Sequence, residues 1–273
     1  MKLSCIPVSY FRKLIDGEMS ILDWIREAVE FGLDGIDLSI LFFPDRDAKR
    51  LNALRERMHH VGLKLAILNT YSDLTHPDTV RRAGEIEQLK RDIETASLLG
   101  AENVRVVSGQ AHPETGIEHG IQWALEGFLQ AASTAEKHRI QLVYENHSKP
   151  GNWDYPDFSF PPDVFLRIAD QLAGTPVKIL FDTANPLAYG VEPLPILERV
   201  LDRVVCVHAA DTSVRGHLQP SPIGKGLVPF NEIFRCLKHS RFEGWVSIEE
   251  ASATGKAGVQ SAVIDIRKAW TNA

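Results

Sequence analysis

Apolar residues along the chain follow two rhythms. Short apolar runs rich in β-branched residues alternate with longer stretches in which apolar positions recur every three or four residues. The short runs are LSCIPV from Leu3, GIDLSI from Gly35, LKLAIL from Leu63 and NVRVVS from Asn103. They continue with IQLVYE from Ile140, VKILFD from Val177, VVCVHA from Val204 and WVSIEE from Trp245. Each is bounded by Gly, Pro, Asn or charged residues, which predicts eight strands. Between them, Met19–Phe31 carries Ile21, Ile25, Ala28 and Val29 on one stripe, and Pro77–Leu99 carries Ile86, Leu89, Ile93 and Ala96. Ile117–Lys137, Pro161–Gln171, Pro193–Val200, Pro229–Leu237 and Ala257–Trp270 repeat the helical spacing. Pro161 or Pro162, Pro193 and Pro229 fall where a helix starts and proline's missing N–H is harmless. Gly32, Gly62 and Gly100 fall just past helix ends, where a left-handed residue is favoured.

Eight strand–helix units average about 34 residues, the size of a βα unit in a barrel. An open doubly wound sheet competes, but no glycine-rich dinucleotide fingerprint follows the first strand. The pattern predicts a single α/β domain over 1–273, a (β/α)8 TIM barrel with its active site at the C-terminal ends of the strands. Composition agrees: 44% hydrophobic and 24% charged residues make an ordinary globular chain. A net charge of −6 lacks the basic stripe of a nucleic-acid binder. No run approaches the roughly 18 apolar residues of a membrane span. Cys5, Cys206 and Cys236 make an odd number with no disulfide framework, and the N-terminal residues lack a signal peptide's apolar core. The expectation is a cytoplasmic protein with no membrane or nucleic-acid partner; a homo-oligomer stays open.

The strand ends carry the candidate chemistry. Glu145 closes the fifth run, Asp182 the sixth, His208 lies in the seventh, and Glu249 followed by Glu250 closes the eighth. Parallel-barrel strands are buried on both faces, so ionisable groups there need a partner or a metal. One imidazole and three carboxylates suit a divalent ion such as Mn²⁺, Co²⁺, Mg²⁺ or Zn²⁺. Alternation lets only one of Glu249 and Glu250 point inward.

LVYENHS (142–148), ILFDTANP (179–186), VVCVHAAD (204–211), PIGKGLVPF (222–230) and GWVSIEE (244–250) together resemble the sugar phosphate isomerase/epimerase superfamily. These are the xylose isomerase-like TIM barrels, and the likeness is to the D-tagatose 3-epimerase and hydroxypyruvate isomerase type. The resemblance implies Glu145, Asp182, His208 and Glu249 as ligands of one divalent metal ion; the family pattern of a glycine and an aromatic, three residues, then Glu makes Gly244–Trp245 select Glu249 over Glu250. It also implies Glu145 and Glu249 as the acid/base pair of an isomerase or epimerase. The substrate would be a small keto-sugar or related hydroxy-carbonyl compound, turned over through a metal-stabilised enediolate.

The chain departs from the family in places. Asn185 stands where many sugar epimerases have a second histidine, three residues after the strand-six Asp, and an amide hydrogen-bonds a hydroxyl without carrying charge. A metal-dependent lyase, dehydratase or hydrolase acting on a keto-sugar or cyclitol is therefore an alternative. A barrel kept only as a binding module is a third. The DNA-repair branch of the superfamily needs three metals and more histidines than His76 and His112 supply. Further substrate contacts are expected from Arg215, seven residues after His208, whose other reading is a solvated loop arginine. His147 and Asn69 are also expected to contact substrate. Ser108 and Gln110 are weaker rim candidates, and Arg105 reads as a packed ion pair. The aromatic loop from Ser148 to Pro162, with Trp153, Tyr155, Phe158 and Phe160, reads equally as a lid or as a subunit contact.

Overall fold

The computed structural model describes residues 1–273. Its eight strands are β1 Lys2–Ile6, β2 Gly35–Ser39, β3 Lys64–Asn69, β4 Ala101–Val106, β5 Gln141–Glu145, β6 Lys178–Asp182, β7 Val204–Ala209 and β8 Trp245–Glu249. All pair in parallel in the order β1-β8-β7-β6-β5-β4-β3-β2. The two end strands, β1 and β2, lie side by side and nearly close the barrel. Asp34 stitches them: its backbone N–H donates to the Leu3 carbonyl at 2.9 Å. Its carboxylate accepts from the Leu3 N–H, also at 2.9 Å.

The predicted helices form at nearly the predicted places, from Ile21–Glu30 to Gly255–Asn272. Their ends follow local chemistry. Ser20 and Asp23 make a reciprocal capping box, and Asp78 accepts the Val80 and Arg81 N–H groups. Gly32, Gly62 and Gly100 take positive φ values of 66°, 77° and 74°. Three helices escape the periodicity: the short Phe11–Ile15 and Asn185–Tyr189, and the longer Ala48–His60 between β2 and β3. The last fully buries Leu51 and Met58, packs Leu54 partly buried between them, and starts where Asp47 accepts the Arg50 N–H at 2.8 Å. No helix is long and apolar enough to cross a membrane.

The core has two parts. The larger lies between the sheet and the helices, where Leu3, Ile36, Leu65, Val104, Tyr144, Phe181, Val207 and Val246 meet the helix stripes. The smaller fills the barrel, with Ala66, Val143, Leu180, Cys206 and Trp245 among its side chains. Period-two alternation then puts Glu145, Asp182, His208 and Glu249 on the same inward side, two residues beyond Val143, Leu180, Cys206 and Ser247. The β6–β7 register pairs Asp182 with His208, and the β7–β8 register pairs His208 with Ser247. An apolar plug thus supports a polar layer at the C-terminal mouth.

Candidate metal centre

That polar layer converges. One ligand atom from each of Glu145, Asp182, His208 and Glu249 lies within 4.8 Å of the others. Nδ1 of His208 is 2.8 Å from Glu145 Oε1 and 3.1 Å from Glu249 Oε2. The side chains of Glu145 and His208 are 1% exposed, whereas Glu249 is 29% exposed and opens the group to the mouth. Glu250 points the other way, fully buried against Ser9 and Ser252. The side-chain alternation therefore places Glu249 in the cluster.

Each member is held by its own strand end. Asp182 Oδ1 accepts the N–H groups of Ala184 and Asn185 at 2.8 and 2.7 Å. The Asn146 side chain brackets the Asp182 backbone, accepting its N–H and donating to its carbonyl. Glu145 Oε2 faces Arg105 Nε at 3.3 Å. The Arg105 guanidinium lies over the Tyr71 ring, 4.7 Å from its centroid. His208 Nε2 faces a residue that no motif marked: Asp37 on β2, its Oδ2 3.6 Å away.

Charge explains the pKa directions. Burial is the strongest influence on Glu145 and favours its neutral form, yet His208 and Arg105 together overcome it and push the carboxyl down to about 2. Asp182 is raised, by burial first and then by Glu249 and Glu145. For His208 burial opposes the charge, and the surrounding Glu145, Asp37 and Glu249 raise its pKa well above the usual imidazole value. Glu145 Oε2, His208 Nε2, Arg105 Nη1 and Asp37 Oδ1 are buried with no hydrogen-bond partner. Carboxylates outnumber cations here, polar atoms are orphaned, and oxygen donors converge with an imidazole. This donor set fits a divalent cation.

The other expected residues are placed unevenly. Asn185 and His147 line the rim cavity with Asp182, Asp211, Lys149 and Glu249. Asn185 Nδ2 donates to the Asn146 carbonyl at 3.0 Å. His147 has left the strand; burial, its strongest influence, lowers its pKa to about 4, and its Nδ1 lies 4.0 Å from Asp157 Oδ2. Asn69 is fully buried, donating to the Leu38 carbonyl and accepting from Arg105 Nε at 3.1 Å, so it braces Arg105. Arg215 is half-exposed and its guanidinium pairs with Glu192, as in its other reading of a solvated loop arginine. The aromatic loop packs inward at Trp153 and Phe158, which are 7% and 6% exposed. Ser108 and Gln110 serve that region, Ser108 donating to Asp157 and Gln110 to Asp73.

A parallel barrel with an acid-and-imidazole cluster at its C-terminal mouth defines a TIM barrel with a candidate metal centre. Residues 25–268 match the family model of the xylose isomerase-like TIM barrel, and the chain belongs to that family. An inosose dehydratase of Bacillus anthracis is 25% identical over 176 residues, 54% of this chain and 56% of that protein. The chain thus matches little more than half the length of such relatives. The L-ribulose-5-phosphate 3-epimerase UlaE of Escherichia coli is 23% identical over 268 residues, 92% of this chain and 89% of the relative. Among solved structures, the IOLI protein with a bound zinc atom superposes with a TM-score of 0.81 at 18% identity, covering 99% of this chain and 98% of its own. D-psicose 3-epimerase of Clostridium cellulolyticum H10, solved with D-tagatose, gives 0.78 at 14% identity, covering 99% of both chains. These two structural likenesses establish the fold alone.

Proposed function

We propose that this chain is a divalent-metal-dependent enzyme that isomerises or epimerises a small keto-sugar or related hydroxy-carbonyl compound. The observation that carries the reading is the convergence of four ligand atoms within 4.8 Å at the barrel mouth. A divalent cation there would polarise a carbonyl and its neighbouring hydroxyl, acidifying the C–H between them. Glu145 and Glu249 approach from β5 and β8, on two sides of the group. One carboxylate removes the proton from one face of the carbon, and the other returns a proton to the opposite face or to the neighbouring carbon. Arg105 keeps Glu145 ionised and ready to accept. Asp182 is fixed by two backbone N–H groups and has only to bind the ion. Asn185 and His147, at the rim cavity, orient substrate hydroxyls.

A second reading has its own observation. The Asn185 amide nitrogen is spent on the Asn146 carbonyl, which leaves this position without the charge or proton of a histidine. Loss of a β-leaving group from the same enediolate would need no second protonation at that side, and inosose dehydratases are among the relatives. Incubation with keto-sugars and cyclitols in D₂O separates the two by product mass, since epimerisation or isomerisation changes it only by exchanged deuterium, whereas elimination gives a product lighter by one water. Glu145→Gln and Glu249→Gln are each expected to lower turnover by roughly a hundred- to ten-thousandfold while the fold persists. Full activity in either variant would overturn the mechanism.

A further inference from the structure

Asp37 stands out because nothing in the fold requires it. It is fully buried in the inward layer of β2, with the Cys5 and Cys206 thiols near enough to feel its charge. An apolar residue of similar size would fill that layer without the cost of burying a carboxylate. Its only hydrogen bond comes from Ser247, whose hydroxyl donates to Oδ2 at 2.6 Å. Ser247 is the β8 register partner of His208. The same Oδ2 lies 3.6 Å from His208 Nε2, which has no other partner. Ser247 and Asp37 are hydrogen-bonded, and the same carboxylate faces, just beyond hydrogen-bond distance, the His208 ring nitrogen that points away from Glu145 and Glu249.

We infer that Asp37 is a positioning residue for the metal centre, accepting the Nε2–H of His208 so that Nδ1 presents its lone pair to the carboxylate cluster. The inference rests on the metal reading above. A neutral imidazole has one protonated and one free nitrogen, and the hydrogen bond made by one decides which is free to bind a metal. Facing carboxylates on both sides, the His208 ring would otherwise have no fixed choice. Asp37, anchored by Ser247, breaks that symmetry and fixes the ring plane. Sited on β2, across the interior from β7, it also ties the polar layer to the strand at the barrel's unladdered edge.

The test uses full-length protein, Zn²⁺ as the probe, and affinity measured by competition with a chelator. His208→Ala serves as the ligand-loss control. Asp37→Leu is expected to weaken Zn²⁺ binding by about ten- to a hundredfold, the usual effect of losing a partner behind a metal-bound histidine. Asp37→Asn should fall between wild type and Asp37→Leu, because its amide oxygen still accepts the Nε2–H. In zinc-loaded wild type, ¹⁵N spectra of the His208 ring should show a protonated, slowly exchanging Nε2 and a coordinated Nδ1. Asp37→Leu should lose the slow exchange. If Asp37→Leu does not fold, Asp37→Asn decides, with a severalfold loss expected and wild-type affinity overturning the inference. Unchanged affinity in Asp37→Leu, or coordination through Nε2, would overturn this inference and leave the metal reading standing. Wild type that takes up no ion would overturn both.

Discussion

Asp157 shows how far one buried carboxyl can set the pH response of the fold. Its Oδ1 accepts from Ser108 Oγ and from both the N–H and hydroxyl of Ser159, while Oδ2 has no partner. Burial is the dominant influence and pushes its pKa from 3.8 up to about 7, against the hydrogen bonds that favour the ion. Between those values the folded chain keeps a proton that the unfolded chain has released. Stability therefore falls as pH rises from about 4 to about 7 and is flat above that. The interval corresponds to roughly 4 kcal/mol at most. Asp157→Asn keeps an acceptor for the serines and removes the titration. It is expected to melt above wild type at pH 8, with the gap closing towards pH 4; a gap that does not change with pH would show that Asp157 does not titrate in this range. At this scale the sequence was readable where ionisable residues interrupt apolar strand ends, as at Glu145, Asp182, His208 and Glu249. Asp37 was not, because one polar residue inside GIDLSI looks like ordinary alternation and its partners lie on distant strands. Arg215 sits in a loop, where no periodicity fixes which way a side chain faces, and the structure turns it to Glu192.

Among the elements, the weakest seam is the one between β1 and β2. Every other neighbouring pair is joined by a parallel ladder, whereas these two rely on the Asp34–Leu3 pair of hydrogen bonds. Asp34 is exposed, so water can replace its carboxylate, and Asp34→Ala should cost only about 1 kcal/mol. For a chain of this size that lowers Tm by roughly 2–4 °C. The local effect should exceed the global one: amide exchange in β1 and β2 should accelerate more than in β5–β7. Equal acceleration in all strands would mean that the seam is held by side-chain packing instead. The eight strands were legible because buried parallel strands read as compact apolar runs. Ala48–His60 was not: Leu51, Leu54 and Met58 stand at helical spacing, but Lys, Arg, Asn, Glu and His fill most of the other positions and dilute the signal. In the loop from Ser148 the aromatics read equally as a lid or a subunit contact; the structure instead buries Trp153 and Phe158, leaves Tyr155 exposed, and brings Phe158 so close to Gly120 that a Cβ there would fall 2.2 Å from the ring.

Over the whole molecule, the barrel supports an electrostatic debt at its mouth. The polar layer gathers Asp37, Glu145, Asp182 and Glu249 around one arginine and one histidine, on top of a plug of apolar side chains that offers no counter-charge. Protonation relieves part of the repulsion: Asp182 is shifted upward by burial first and then by Glu249 and Glu145, and His208 is shifted upward by the carboxylates around it. A divalent cation would relieve it more fully, and it can bind in this geometry only when β5, β6, β7 and β8 are in register, so its binding energy becomes folding energy. At an ion concentration about a hundredfold above Kd the gain is about 2.7 kcal/mol. That corresponds to a rise in Tm of roughly 5–10 °C for a chain of this length. Protein stripped with a chelator should therefore melt lower than protein resupplied with Mn²⁺, Co²⁺ or Zn²⁺, and its Tm should climb with the logarithm of the ion concentration. His208→Ala should lose the climb while remaining folded. A Tm indifferent to chelation and to every ion added would show that the acids at the mouth are balanced by protons alone, and the metal would drop out of both the stability and the proposed chemistry.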